Sequence, residues 1–486
     1  MSQPTSTVQS TNGRSAEMSR EIRRVFEAQR AYQQTARDAD AEQRAAKIQR
    51  VHNAVLEHRP AIRDALHADF RKAPQEVDLS EIKITAEFAK HAQAKVAGWM
   101  APEKVRTPPT FLGTSSEIHY EPKGVVLIIS PWNYPFNLTL GPLISALAAG
   151  NCVILKPSEY TPHSSALLRS MVEELFDERE VALFEGDKTV AQELLDQPFD
   201  HFYFTGSPPV GRIVMKAAAE HLSSVTLELG GKSPTIVDDT ADVKDAARKI
   251  AWGKFTNAGQ TCIAPDYVYV HDRVHDDLVE ALRGSIHAFF GASSREQRTS
   301  PDYARLVNEK HFQRVRQLLD AAVEDGAHVA AGGNTDAEDR YIAPTLLTDV
   351  PQNTGVMQEE IFGPVLPILT YRTLDEALGA VNAKPNPLTL YLFTQSDATE
   401  RAVLGRTKAG NSCVNDTLVN YFNPNLPFGG AGHSGIGKSH GVFGFREFSN
   451  ERAVLRRTAG SAIMRALYPP YKLTTRKVID WLVKYL

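Results

Sequence analysis

Apolar residues recur at helical spacing early in the chain. Ile48, Val51, Val55, Ile62, Leu66 and Phe70 are separated by charged positions, which predicts helices from residue 20 to about 100. Pro102, Pro108 and Pro109 break that pattern, and 103–121 reads as an extended hairpin instead. From Gly124 the periodicity changes. Gly124–Ile129 is a short, fully apolar run of the kind that forms a strand buried on both faces. Residues 141–150 then read as a helix of small residues, Cys152–Leu155 as a second strand, 163–176 as a helix and His201–Thr205 as another strand. The alternation resumes with strand-like Thr235–Val237, Tyr267–Val270 and Val365–Leu369, and with helix-like 241–251, 274–289 and 303–325. Such alternation predicts an α/β fold built as doubly wound sheet in two successive units.

Composition narrows the function classes. The 486 residues are 42% apolar, enough for large cores, and carry 54 basic and 58 acidic side chains. The net charge of −4 predicts no general affinity for nucleic acid or anionic membranes. Residues 1–18 are mostly polar and lack an apolar run, so they read as a disordered tail and not as a signal peptide. No stretch approaches the roughly 18–20 apolar residues that span a bilayer. Three cysteines, Cys152, Cys262 and Cys413, are too few for a disulfide scaffold and fit a reducing cytoplasm with room for one reactive thiol.

Several segments hold candidate chemistry, each with a bland alternative. Cys262 ends Asn257-Ala-Gly-Gln-Thr-Cys262, a polar setting in which Gly259 permits a tight turn and close approach by a neighbour. It reads equally as an accessible thiol or a buried structural cysteine. Cys152 and Cys413, in apolar runs, read as core. Glu228 opens Glu228-Leu-Gly-Gly-Lys-Ser-Pro234 at the end of a strand-like stretch. There it is either a general base or an ordinary capping acid. Asn133, in Pro131-Trp-Asn-Tyr-Pro-Phe136, follows a strand directly and carries an amide able to meet an oxyanion; the alternative is a proline-rich turn with Trp132 in the core. Phe204-Thr-Gly-Ser-Pro-Pro-Val-Gly211 precedes the helix predicted over 212–221, where helix N–H groups suit phosphate, although it is neither a G-x-G-x-x-G nor a phosphate-binding loop of the G-x-x-x-x-G-K type. Lys156 and Glu159 end another strand and offer an amine and a carboxylate for ribose hydroxyls, or form a solvated loop. Strand ends at 129, 155, 205 and 227 thus all carry polar or glycine-rich elements, and that array points to one crevice at a sheet's carboxyl edge.

The ordered set PWNYPF (131–136), KPSE (156–159), FTGSPPVG (204–211), ELGGKSP (228–234), GQTC (259–262), EEIFGP (359–364) and LPFGG (426–430) resembles the aldehyde dehydrogenase superfamily from about residue 22 to 458. The short stretch before Asn133, once the polar tail is discounted, and the extension beyond 458 with Tyr468-Pro-Pro-Tyr471 are most similar to its class 3 and fatty aldehyde dehydrogenase branch. The resemblance implies a Rossmann-type cofactor domain, an α/β catalytic domain and a small β oligomerisation element. It places the dinucleotide-binding domain at 21–103 and 122–228, after a tail at 1–20. Bridging strands fall at 104–121 and 445–458, the catalytic domain at 229–444, and a C-terminal tail with a gating helix at 459–486.

By the same resemblance Cys262 is the nucleophile, Asn133 with the Cys262 N–H forms the oxyanion hole, and Glu228 is the general base. Lys156 and Glu159 hold the adenosine ribose. Gly206, Ser207, Val210 and Gly211 lie near the pyrophosphate, and Glu360 and Phe362 hold the nicotinamide ribose and ring. The expected cofactor is NAD, with NADP also admitted, since a carboxylate such as Glu159 repels a 2′-phosphate. No metal is expected. The implied partners are an aldehyde, medium- to long-chain or aromatic, and a second copy of the chain in a homodimer. Two other readings stand beside this one: a cofactor-independent ester or thioester hydrolase, and a non-catalytic protein on the same fold. Residues 474–486 set Val478, Ile479, Leu482, Val483 and Leu486 on one helical face with Lys472, Arg476, Lys477 and Lys484 around it. That helix reads as packed on a dimer, as a substrate gate, or as a short membrane-surface helix.

Overall fold

The computed structural model describes residues 7–108, 111, 113–457 and 468–485. Residues 1–6 of the expected tail, 458–467 of the C-terminal extension, Leu486 and the Leu482 side chain lie outside the described residues. A helix over Thr7–Asp38 occupies much of the stretch expected as tail. Ile22, Val25 and Phe26 on it are buried against the first sheet, which gives the helix a tertiary reason to form that its polar start conceals.

The first sheet has six strands in the order Gly435–Ile436, Ser224–Leu229, His201–Gly206, Val125–Ile129, Cys152–Lys156, Val181–Leu183. All pairings are parallel except that of Gly435–Ile436. The centre of the sheet is the apolar run at Val125–Ile128, whose side chains are all fully buried. The chain runs from that strand outward to Val181–Leu183, then returns to His201–Gly206 on the other side. The reversal falls between Val125–Ile129 and His201–Gly206, where open α/β sheets bind ligands at their carboxyl ends.

The second sheet orders seven strands: His328–Ala331, Thr345–Thr348, Val365–Tyr371, Tyr267–His271, Pro234–Val237, Thr389–Phe393 and Asn411–Val414. Only the His328–Ala331 edge strand is antiparallel. A third sheet joins Glu103–Val105, Thr114–Pro122 and Ser449–Arg457, so the expected hairpin and the strand near the C-terminus lie side by side.

Three local readings change. The helix expected over 303–325 runs only from Glu309 to Glu324. Asn308 caps it by accepting from His311 N–H, while Arg305 N–H donates to Phe70 and Leu306 N–H to Arg340, which holds 303–307 extended. The helix expected over 212–221 starts earlier, as Pro208–Glu220, with prolines in its first two positions. The end of the expected 229–444 unit returns to the first sheet, where Gly435 pairs with Glu228.

Candidate active site

Cys262 follows a turn that few sequences allow. Asn257, Ala258 and Gly259 all have left-handed backbones, with φ of 54°, 51° and 75°. Gly259 passes so close to Gly363 that a β-carbon there would sit 2.3 Å from the Gly363 carbonyl oxygen, the close approach its glycine anticipates. Buried amides lace the turn together. Gln260 Nε2 donates to the carbonyls of Asn257 and Arg305, each at 2.9 Å, and its Oε1 accepts from Val307 N–H.

Asn133 reaches this turn from the end of the first sheet's central strand. Its Nδ2 donates to the Gln260 carbonyl at 3.0 Å, and Asn257 Nδ2 donates back to the Asn133 carbonyl at 3.0 Å. The Tyr134 hydroxyl lies 2.7 Å from Thr261 Oγ1. Beneath Tyr134 sits a fully buried cation, with Lys72 Nζ 3.8 Å from the ring centre and 3.3 Å from Glu81 Oε1. Glu81 accepts in turn from Asn137 N–H at 2.8 Å. The Lys72 cluster was not anticipated from sequence. Its only local signal is charge inside an otherwise amphipathic helical stretch.

Glu228 stands near the end of the Ser224–Leu229 strand, paired to Thr205 on one side and Gly435 on the other. Both of its carboxylate oxygens are buried with no hydrogen-bond partner. Burial pushes its pKa up to about 8, with Lys438 and the Ser439 hydroxyl opposing and Glu447 adding. Glu360 is likewise pushed up to about 8, by burial and then by Asp266. Its loop is pinned from behind: Arg314 donates to the Glu360 and Ile361 carbonyls at 3.2 and 2.5 Å, and Ile361 N–H donates to Asp266 at 3.1 Å. Burial, then Glu360 and Glu228, push the Cys262 thiol up to about 12, against its own N–H and that of Ile263. Burial thus biases all three groups toward their protonated forms.

Two large cavities meet at Cys262. A groove of about 810 Å³ runs along the carboxyl edge of the first sheet and is lined by Asn133, Gly206, Ser207, Glu228, Glu360 and Phe362, among others. Phe362, at φ 48°, stands edge-on to Trp132 at 5.3 Å, and Trp132 in turn touches His311 at 5.0 Å. Trp132 is buried, as the bland reading held, and also lines the groove. On the other side a cavity of about 610 Å³ leads away between Leu79, Ile84, Tyr134, Trp252, Phe289 and Phe422.

The groove does not gather every residue expected in it. Gly211 is buried because a β-carbon would press on Leu229 at 2.8 Å, so its absent side chain serves helix packing. Val210 is 43% exposed outside the groove lining. Lys156 is buried at a neighbouring strand end, donating to the Pro157 carbonyl at 2.9 Å and to Glu159 at 3.3 Å, and neither residue lines the groove. The helix N-terminus beside Ser207 offers fewer donors than expected, since Pro208 and Pro209 lack N–H groups and Gly211 N–H is spent on the Ser207 carbonyl. Sequence reasoning missed His311, Arg314, Arg212, Lys384 and His433 on the groove walls. Of these, Arg212 directly follows a motif already singled out. Cys152 and Cys413 are buried core, as expected. Among the described residues no cluster of three or more His, Cys, Asp or Glu is arranged to hold a metal.

Comparison with known proteins gives a consistent picture. The model of the aldehyde dehydrogenase family matches residues 3–454. The chain is 43% identical to the 4,4′-diaponeurosporen-aldehyde dehydrogenase of Staphylococcus aureus, over 93% of this chain and 97% of that one. It is 44% identical to human aldehyde dehydrogenase family 3 member B1, over 92% and 94% of the two chains. A solved structure of Staphylococcus aureus AldH in a substrate-bound state superimposes with a TM-score of 0.90 at 41% identity, covering 95% of this chain and 99% of that one.

Proposed function

Because the chain belongs to the aldehyde dehydrogenase family and is thus an aldehyde-oxidising enzyme, we propose that it converts aldehyde to carboxylic acid through a thiohemiacetal and then a thioester on Cys262. The observation that carries this reading is the meeting of Asn133, Glu228 and Cys262 at one groove, with Glu360 and Phe362 on its wall. The family uses NAD or NADP, and the groove has the volume, the aromatic wall and the bare glycine backbone to take the nicotinamide end of a dinucleotide. Glu360, Phe362 and Trp132 would hold its nicotinamide end, and Ser207 would face its phosphates. Lys156 and Glu159 wait at the next strand end for the adenosine ribose, and Glu159 favours NAD.

Glu228 takes the thiol proton, and the sulfur attacks the aldehyde carbon. Asn133 has one amide hydrogen committed to Gln260. Its second hydrogen and the Cys262 N–H hold the oxyanion, and one such donor is worth roughly 10²–10³ in rate. The cofactor, when bound beside Cys262, would supply the hydride acceptor. Once Glu228 has passed the thiol proton on to solvent, it draws a proton from water, whose oxygen bonds to the acyl carbon as the C–S bond breaks and Cys262 leaves as thiolate. A pKa of about 8 leaves the carboxylate a strong enough base for both duties near neutral pH.

The 610 Å³ cavity, walled by Leu79, Ile84, Leu138, Trp252, Phe289 and Phe422, favours a medium- to long-chain aliphatic or an aromatic aldehyde. The three-stranded sheet serves as a dimer element. The helix over Leu473–Tyr485 leaves Val478, Trp481 and Val483 exposed on the single chain, and it acts on the partner as a gate or a packing helix. No helix among the described residues is long and apolar enough to cross a membrane. A panel from acetaldehyde to long-chain and aromatic aldehydes, with NAD and NADP in parallel and absorbance read at the nicotinamide band, tests the reading. Cys262→Ala is expected to abolish oxidation while leaving cofactor binding intact. Oxidation by that variant at the wild-type rate would overturn it.

A further inference from the structure

Lys254 is a buried cation that lines neither of the two large cavities. It stands next to last in the helix Val243–Phe255, eight residues before Cys262. Its side chain is fully buried, and its Nζ has no hydrogen-bond partner among the described residues. The carboxylate within ion-pair range there is Asp266, with Oδ1 at 3.8 Å. Burial drags the Lys254 pKa down to about 8, while Asp266 and Glu360 favour the charged form and Lys232 opposes it. Packing alone would be better met by an apolar side chain of the same length, because a buried ammonium gives up its hydration.

Asp266 connects this charge to the groove. It follows Cys262 by four residues. Its N–H donates to the Ser233 carbonyl at 2.9 Å, its Oδ2 accepts from Lys232, and its Oδ1 accepts from Ile361 N–H at 3.1 Å. Lys232 donates in turn to the carbonyls of Val356 and Glu359, at 2.7 and 3.0 Å. One oxygen of Asp266 thus faces both Lys254, from before Cys262, and Ile361, in the loop that carries Glu360 and Phe362. The two segments meet again where Gly259 passes the Gly363 carbonyl. Lys254 and Asp266 therefore bracket the Cys262 turn, and Ile361 ties that bracket to the groove wall. The turn is also held from elsewhere, by Asn133, Asn257 and Gln260. If the bracket is weakened, the loop is the side that yields.

We propose that Lys254 and Asp266 are positioning residues that fix the Glu360–Phe362 loop against the Cys262 turn, and so set the separation across which hydride leaves the thiohemiacetal. The proposal rests on the function given above. In that step the C–H bond of the thiohemiacetal breaks, its electron pair departs with the hydrogen to NAD, and a lone pair of the oxyanion forms the carbonyl of the thioester. One segment holds the sulfur that carries the reacting carbon, and the other is the wall for the nicotinamide end. The later attack of water on the thioester runs from Glu228, which belongs to the first sheet and does not depend on that loop. Loss of the Lys254 charge therefore slows the first step and spares the second.

The test uses the full chain as Lys254→Met, which keeps the length without the charge, and as Lys254→Gln, which keeps a polar end. First-turnover reduced cofactor is followed by stopped-flow absorbance with ordinary and C1-deuterated aldehyde, and the acyl-enzyme by intact mass after acid quench. In both variants we expect hydride release at least about tenfold slower, with kcat falling alongside it. A primary deuterium isotope effect then appears on kcat, acyl-enzyme does not accumulate, and the KM for aldehyde stays within about twofold. Two readouts need no cofactor. Alkylation of Cys262 by iodoacetamide keeps its rate, and the melting temperature of Lys254→Met stays at or above that of wild type, because an uncompensated ammonium has left the interior. The inference is overturned if hydride release in Lys254→Met stays within about twofold of wild type, or if acyl-enzyme builds up instead. It is equally overturned if the melting temperature falls by more than about 5 °C or the variant fails to fold, since Lys254 is then a structural charge. Wild-type protein that yields neither reduced cofactor nor an acyl adduct would instead reject the parent function.

Discussion

A β-carbon added to Gly230 would sit 2.3 Å from Glu360 Oε2, so the carboxylate of one loop rests on the bare backbone of another. The far end of a side chain can swing away, and Gly230→Ala should fold. It should also drive Glu360 off the wall of the groove. We expect cofactor affinity to fall about tenfold, equivalent to about 1.4 kcal/mol, with the melting temperature nearly unchanged. Fluorescence titration with NAD measures this, and unaltered affinity would count against Glu360 as a ribose contact.

Glu228 is kept protonated by burial up to about pH 8. Its base form is therefore lost as pH falls through 8. Where thioester hydrolysis limits the rate, turnover should climb about tenfold per pH unit below 8 and level off above it. Glu228→Gln should remove that limb and accumulate thioester. A wild-type profile that is flat from pH 6 to 9 would contradict the assignment. The shift also has a sign for stability. Between its ordinary value of 4.5 and about 8, the folded state keeps a proton that the unfolded state has released. This group's contribution thus falls as pH rises through that window, which urea unfolding at pH 5 and 8, compared with Glu228→Gln, will read.

Lys72 neutralises buried Glu81 at 3.3 Å, and Glu76 lies 4.0 Å away. Lys72→Met leaves both carboxylates without their cation, and breaking a buried pair in this way costs about 3–5 kcal/mol. Burial already raises the pKa of both acids, so part of the loss should vanish at low pH as they take up protons. Urea denaturation at two pH values measures both effects, and a loss under about 1 kcal/mol would show that the cluster is dispensable.

Gly259 has no room for a side chain, and its φ of 75° strains any other residue. Gly259→Ala must move either this turn or the Gly363 backbone, and Cys262 lies three residues on. Displacement of a reacting group by about 1 Å can cost about 10²-fold in rate. Loss of that order in kcat/KM, with slower alkylation of Cys262 by iodoacetamide, is the expected result.

Much of this architecture was legible because the physics is local. A short β-branched run such as Val125–Ile129 fits a strand buried on both faces, and polar or glycine-rich residues at successive strand ends announce a crevice. What escaped depends on distant partners. Nothing near Lys72 says that Tyr134 will cover it. Nothing near His311 says that Trp132 will meet it across the groove, because its own helix has an ordinary amphipathic pattern. The extended 303–307 segment carries helix-compatible residues, and only the N–H bonds to Phe70 and Arg340 decide otherwise. Gly435–Ile436 is two residues long, below any periodicity. A phosphate turn over 204–211 also has to do without the N–H groups that Pro208 and Pro209 lack.

The brief strand at Gly435–Ile436 makes the whole second sheet a closed excursion. The chain departs just after Glu228 and comes home opposite it, with Leu229 N–H donating to the Ser434 carbonyl at 3.0 Å. Departing and returning leads are thus stitched to each other. A swing of one half against the other would have to bend both leads together, at the very spot that carries the carboxylate. Both leads cross at Glu228, so a tilt between the halves would alter the reach from its carboxylate to the Cys262 sulfur.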